Sequence, residues 1–259
     1  MIDEHFYPEN WGIRPVLFEI GDFGVPSYSF FVLLGLLVGI LIYFYEARQK
    51  KSLDERGFFI AIGSLFGGIL GAKILQLLID YKYIFSHLPD FEVIFSGRTI
   101  IGGLIGGTIG AVITKKILGI KEKRGNLFAP AIAMGVAIGR LGCFFRGCCY
   151  GEETFLPWGV NFGDGVLRHP TQIYESLFML VMFFYLEKVK NKDNIKPGQL
   201  FKQLMTAYFI FRFLIEFIRV EPVTFVGLTI FQIISIGVII YLMREDIINL
   251  FKRKSYGKE

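Results

Sequence analysis

Long apolar runs recur along this chain, separated by short polar stretches. They occupy roughly residues 28–45, 58–79, 99–118, 127–145, 172–187, 200–217 and 227–243. Each approaches the ~20 residues that a helix needs to cross a hydrocarbon core of about 30 Å. The pattern predicts an all-α membrane protein with about seven transmembrane helices. One integral membrane domain spans 1–259, with a head segment around 146–171. The opening stretch MIDEHFYPENWGIRPVLFEIGDFGV lacks a basic start followed by an apolar core. It therefore reads as a surface segment outside the bilayer, not as a cleavable leader.

The polar connections give the orientation. The segments EARQKKSLDER, TKKILGIKEKR, EKVKNKDNIKPG and the tail from Arg244 hold 4, 5, 4 and 5 Lys/Arg. Residues 1–27, 80–98, 146–171 and 218–226 hold 1, 2, 2 and 1. Basic residues favour the cytoplasmic side, so the amino terminus is expected outside and the carboxyl terminus in the cytoplasm. A multi-pass protein of the inner (cytoplasmic) membrane follows. Composition agrees: 53% of the residues are hydrophobic and only 20% charged. That is too little polar surface for a water-soluble domain of this length. The net charge of +5 belongs to the loops. No basic face interleaved with exposed aromatics is present, so nucleic acid is not an expected partner.

Two spans are glycine-rich, GSLFGGILGAK and IIGGLIGGTIGA. Small residues at helical spacing let backbones approach closely in lipid. Tight packing is one reading; a glycine-lined groove for an acyl chain, or a helix break, is the other.

Charges inside the spans carry the candidate chemistry. Lys73, Arg140, Lys202 and Arg212 fall within them, as do Glu175 and Glu216. A charge at mid-membrane costs about 2.5–3.5 kcal/mol even on the mild insertion scale, so each needs a partner or a wet cavity. In FRFLIEFIRVEP, Arg212, Glu216 and Arg219 are spaced i, i+4 and i+7. That spacing predicts one helical face. The stripe is either a salt-bridge ladder or a guanidinium cluster facing an anionic lipid headgroup. Arg suits the second role because its planar fork binds phosphate oxygens in pairs. At the entrance to the fifth span, RHPTQIYE adds Arg168, His169, Gln172, Tyr174 and Glu175, with Thr171 the expected N-cap. His169 is either a functional group or a hydrogen-bonded structural one. His5 and His87 lie in surface segments.

Taken in order, RPVLFEIG, Tyr28, SGRTIIGGLIGG, GRLGCF with Arg140, RHPTQIYE, FRFLIEFIRVEP and GLTIFQIIS with Gln232 carry a resemblance. Along nearly its full length the chain resembles the prolipoprotein diacylglyceryl transferase family. The resemblance implies a seven-span inner-membrane enzyme with its active centre toward the outer face and no cofactor. Such an enzyme moves diacylglycerol from phosphatidylglycerol, an anionic phospholipid, to a cysteine thiol of a lipoprotein precursor, releasing glycerol phosphate. It implies headgroup-binding and electrostatic roles for Arg140, Arg212, Glu216 and Arg219. It further implies pocket roles for Tyr28, Gln172, Tyr174, Glu175 and Gln232.

Three positions depart from the family pattern and mark a divergent member or paralogue. Ile101 stands where a histidine is usual, Cys143 where an asparagine is usual, and Cys148 near the place of an acidic residue. With that histidine absent, His169 or a cysteine such as Cys148 is expected to take the proton, and Cys143 to contact substrate. The departures also leave open a different lipid donor or acceptor, or a non-catalytic lipid-binding or transport role.

Cys143, Cys148 and Cys149 are the chain's three cysteines. On a continuous helix Cys143 and Cys148 would stand about 140° apart, at about 100° per residue. Gly147 and Gly151 instead predict a turn that brings the sulfurs together. A disulfide, buried packing thiols, a thiolate activated by Arg140 or Arg146, and a metal site of the three sulfurs with His169 all remain open readings. No metal is expected, because the ligands lack the paired CxxC spacing.

Overall fold

The computed structural model describes residues 11–52, 54–86, 97, 99–192, 194–224 and 226–256. Helices occupy all seven apolar stretches: α1 (Ser27–Gln49), α2 (Glu55–Ile79), α4 (Ile100–Ile117), α5 (Gly125–Arg146), α6 (Thr171–Val189), α7 (Gln199–Ile215) and α8 (Ile230–Tyr256). A short α3 (Tyr81–Ser86) follows α2, and a 3₁₀ turn (Glu216–Ile218) follows α7. Among the described residues, α1, α2, α4 and α5 are long and apolar enough to cross a membrane. His5 and His87 lie outside the described residues.

Many large apolar side chains point outward. Leu33, Leu37 and Leu41 form an exposed stripe on α1, and Leu177, Val181 and Phe184 form another on α6. Arg140, Gln172, Glu175, Arg212, Glu216 and Arg219 are buried. Exposed apolar stripes with charges inside suit hydrocarbon as the surrounding solvent.

The chain gathers into two compact units. One contains Phe44–Arg124; the other contains Trp11–Tyr43 and Gly125 onward. In the first, α2 and α4 meet along a ladder of glycines. A Cβ added at Gly67 would run into the carbonyl oxygen of Gly106, one at Gly71 into that of Gly102, and one at Gly110 into that of Gly63. Both helices run unbroken through these glycines. The packing reading therefore holds, and a helix break does not. Thr99 starts α4, its hydroxyl accepting from Gly102 N at 3.2 Å. Asp54 caps α2, accepting from Gly57 N at 2.8 Å, and is held by the Arg124 guanidinium. The intramembrane Lys73 finds Gln76 Oε1 at 3.0 Å.

In the second unit α1 lies close to α5, where a Cβ at Gly35 would strike the Gly135 carbonyl and one at Gly142 would meet Tyr28 Cα at 3.1 Å. Ser176 Oγ of α6 donates to Ala137 O of α5 at 2.7 Å. A head builds on the carboxyl end of α5. It contains the antiparallel pairs β1 (Val16–Ile20) with β2 (Phe23–Pro26) and β3 (Val160–Asn161) with β4 (Leu167–Arg168). Trp11 Nε1 donates to Gly147 O at 2.9 Å, and Tyr150 stacks on Phe162 at 5.4 Å between centroids. Residues 151–153 bridge both neighbours, since Gly151 N donates to His169 O and Glu152 N to Ile218 O, each at 2.8 Å. The head thereby ties the start of α6 to the end of α7.

Candidate functional site

Arg140 stands near the carboxyl end of α5 because the helix continues to Arg146. Its Nη2 pairs with Glu175 Oε2 of α6, both side chains fully inside the fold. Tyr208 of α7, also buried, donates to Glu175 Oε1 at 2.9 Å. Three helices thus converge on one carboxylate. Tyr208 escaped the sequence reading, although it precedes Arg212 by four residues and so shares its face.

The second charge group lies where α7 ends. Arg212 Nη1 is 2.9 Å from Glu216 Oε2, and Arg219 Nε is 3.7 Å from the same oxygen. The expected single helical face is corrected here. The α-helix stops at Ile215, a 3₁₀ turn carries Glu216, and Arg219 is extended. Arg219 still reaches Glu216 because the tighter turn folds the chain back. It also holds Glu221 Oε1 at 2.9 Å through Nη2 and Cys149 O at 3.0 Å through Nη1. The Arg212 guanidinium lies over the Phe231 ring at 5.2 Å.

Gln232 is buried; its amide oxygen joins the first turn of α8, and its Nε2 donates to Phe213 O of α7 at 3.4 Å. Its Oε1 accepts from Thr229 N at 2.9 Å while Thr229 Oγ1 accepts from Gln232 N at 3.2 Å, a reciprocal capping box. Thr229 Oγ1 also donates to Glu216 Oε1 at 3.2 Å, so the cap fixes the carboxylate. The T-x-x-Q spacing was the readable signal for this role.

Thr171 is not the N-cap of α6. Pro170 holds that position without a side-chain bond, and Thr171 Oγ1 donates instead to Cys149 O at 2.6 Å. Gln172 Nε2 donates to Cys148 O at 2.5 Å. His169 Nδ1 is 3.2 Å from the Tyr174 hydroxyl, which accepts from Trp158 Nε1 at 2.8 Å. Arg168 turns to Asp164 at 2.6 Å and covers Tyr150. Tyr28 lies under the Arg146 guanidinium at 5.5 Å.

The three cysteines are free thiols, so no disulfide joins them. Their sulfurs all lie within 4.8 Å of one another, without His169 in the group. The expected turn brings them there: α5 ends at Arg146, and Gly147 and Cys149 take positive φ of 80° and 64°. Arg140 Nη1 is 3.7 Å from Cys143 Sγ.

Charge and hydrogen bonding do not close together. Three carboxylates, Glu175, Glu216 and Glu221, face three arginines. Yet Arg140 Nε, Arg212 Nη1, Arg219 Nε and the Glu216 Oε2 that faces the last two are buried without a hydrogen bond among the described residues, as is Gln172 Oε1. Buried donors normally find acceptors. The guanidinium N–H groups of this unit are therefore matched by charge more fully than by hydrogen bonds.

A family model described as prolipoprotein diacylglyceryl transferase matches residues 15–244. The chain belongs to that family. Similar proteins include a phosphatidylglycerol–prolipoprotein diacylglyceryl transferase of Clostridium tetani, 33% identical over 217 residues, covering 81% of this chain and 87% of the relative. A second, from Clostridium perfringens and bearing the same name with the number 2, is 33% identical over 264 residues, covering 95% and 100%. That of Geobacter sulfurreducens is 34% identical over 227 residues, covering 83% and 85%. In this member of the diacylglyceryl transferase family Arg140, Arg212, Glu216 and Arg219 are all buried. Ile101 is a buried side chain of α4, which belongs to the first unit.

Proposed function

We propose that this protein transfers a diacylglyceryl group from phosphatidylglycerol to the cysteine thiol of a lipoprotein precursor. The lipid's phosphodiester enters among Arg140, Arg212 and Arg219, whose N–H groups outside hydrogen bonds take its oxygens. The observation that carries this reading is that three buried guanidinium groups each keep an N–H outside any hydrogen bond, Arg212 Nη1 and Arg219 Nε being held to Glu216 Oε2 by charge alone. Charge develops on the phosphate oxygen as its bond to the glycerol carbon breaks, and preorganised guanidinium groups stabilise it in a water-poor site. Glu175 and Glu216 hold the guanidinium planes in place. Gln172, Cys143, Tyr28, Tyr174 and Gln232 shape the pocket, directly or by holding its walls. His169 or Cys148 accepts the proton of the attacking thiol.

The same reading makes the chain a single integral membrane domain of the inner membrane, crossing seven times. Its amino terminus is outside, its carboxyl terminus is cytoplasmic, and the head lies on the outer face. The Lys/Arg asymmetry of the connections supports that orientation.

One observation favours a second reading. The matched carboxylates leave the arginine group neutral before any lipid arrives, as suits a protein that binds or transports lipid without reacting it. Purified protein given labelled phosphatidylglycerol and a peptide with a lipoprotein acceptor cysteine separates the two. The transferase reading expects label on the peptide thiol, lost in Arg140→Ala and Arg212→Ala. Lipid bound without turnover establishes the second, and label on another acceptor sinks the stated one.

A further inference from the structure

The three thiols are more than small core groups. Their sulfurs converge, all pairs within 4.8 Å. A cation bound at about 2.3 Å from each sulfur needs sulfur pairs roughly 3.8–4.0 Å apart, inside the bound the three sulfurs already meet. The backbone beneath them is already pinned. Cys148 N donates to Cys143 O at 3.1 Å. The Cys148 carbonyl is held by Gln172, and the Cys149 carbonyl by Thr171 and Arg219. Cys149 keeps a left-handed φ of 64° that a non-glycine residue rarely adopts. Strain of this kind, held by three side chains, fixes a set of ligands in advance.

Charge around the cluster also fits. Three thiolates close together repel unless cations offset them. Arg140 Nη1 lies 3.7 Å from Cys143 Sγ, and Arg219 sits against the Cys149 carbonyl. Thiolate ligands select soft, filled-shell cations. Among the described residues no further His, Cys, Asp or Glu joins the group. A centre with three protein ligands keeps one coordination position open, as reactive zinc sites do. Cys149 as a residue is partly buried, whereas Cys143 and Cys148 are buried.

We propose that Cys143, Cys148 and Cys149 bind one thiophilic d10 cation, zinc in the first instance, and that its open position takes the acceptor thiol. The second half rests on the transferase reading above. With the cation in place Cys148 is a ligand and not the proton acceptor: on coordination the acceptor thiol gives its proton to His169 or to water, because a metal-bound thiol is deprotonated outright. Its sulfur then attacks the glycerol carbon. A carbon–sulfur bond forms, the carbon–oxygen bond to phosphate breaks, and the glycerol phosphate keeps the electron pair. The cation changes neither charge nor thiolate ligands. Arg140 joins the two halves, with one nitrogen at the cluster and another free for the phosphate.

The test uses the full chain, reduced and purified in detergent. It is loaded with cadmium or zinc, freed of excess metal, and assayed for metal per chain, the ultraviolet cadmium–thiolate band and thiol alkylation. The expected result is one ion per chain and three thiols that resist alkylation until a chelator is added. Cys143→Ser, Cys148→Ser and Cys149→Ser should each weaken retention at least tenfold, and the triple variant should abolish it. Monodisperse elution of each variant guards against loss by misfolding. Stripping should lower peptide labelling at least tenfold, and zinc should restore it. A folded, reduced protein that retains no more cadmium than the triple variant overturns the proposal. So does a stripped protein that labels peptide at the full rate. Failure of the transferase reading looks different: metal binds in the expected ratio, yet neither loaded nor stripped protein labels the peptide.

Discussion

Arg140 of α5 and Glu175 of α6 form an ion pair whose side chains are 4% and 1% exposed, and Tyr208 of α7 donates to the same carboxylate. Removing one charge leaves the other buried and uncompensated. Glu175→Gln is expected to destabilise the protein by about 3–5 kcal/mol, the usual penalty for breaking such a pair from one side. Thermal unfolding in detergent measures it. Stability unchanged from the parent chain would mean that water reaches the pair.

Arg212 tests the proposed anion site, and because its partner Glu216 is as buried as Glu175, folding of each variant is checked beside its activity. Loss of one preorganised donor typically lowers kcat by about 10²–10³. Arg212→Ala should do so in the peptide-labelling assay. Arg212→Lys should recover only part of the rate, since a point charge cannot replace the planar fork. A lysine variant with full activity would show that charge alone is required.

The glycine ladder of α2 and α4 makes a prediction about packing alone. A Cβ at Gly106 would meet the Gly67 carbonyl and come within 2.7 Å of Gly71 Cα. Gly106→Ala should therefore lower stability by about 1–3 kcal/mol, the range for overpacking. Gly237 on α8 has nothing within 4 Å of its added Cβ. Gly237→Ala should be neutral or stabilising by up to about 1 kcal/mol, from helix propensity. Thermal shifts of the two variants should have opposite signs, or the second should be zero.

Asp54 carries a pH dependence. The hydrogen bond from Arg124 is the main cause that brings its carboxyl down to about 2 from the ordinary 3.8, with the Gly57 amide adding to it. The folded value lies below the unfolded one. The contribution is therefore complete above about pH 4 and fades as pH falls through about 2. Asp54→Ala should lose roughly 0.5–1 kcal/mol of cap stability at neutral pH, with the difference vanishing in acid. Unfolding midpoints compared at pH 7 and pH 2.5, where the difference should already be reduced, check this.

Much of the architecture was legible because hydrocarbon imposes a simple rule. Every backbone polar group must be satisfied within its own segment, so a long apolar run must be a helix. The seven stretches, the packing role of the glycines and the cost of Arg140, Arg212 and Glu216 in an apolar run all follow from local composition. So did the turn after Arg146, since Gly147 readily supplies the positive φ that ends a helix.

Partnership was a matter of tertiary structure. Glu175 is 35 residues from Arg140, and Thr229 is 13 from Glu216, so no periodicity links them. Spacing suggested that Arg219 continues the α7 face, but a 3₁₀ turn carries it there by another path. Gln232 was an expected pocket residue, and the fold spends its amide oxygen on a helix cap. The sulfur triad arises only when a left-handed Cys149 turns the chain back on Cys143. Sequence alone determined which residues hydrocarbon would penalise, because that penalty depends on one side chain and its solvent. Which groups relieve it depends on distances between helices, and only the folded chain sets those.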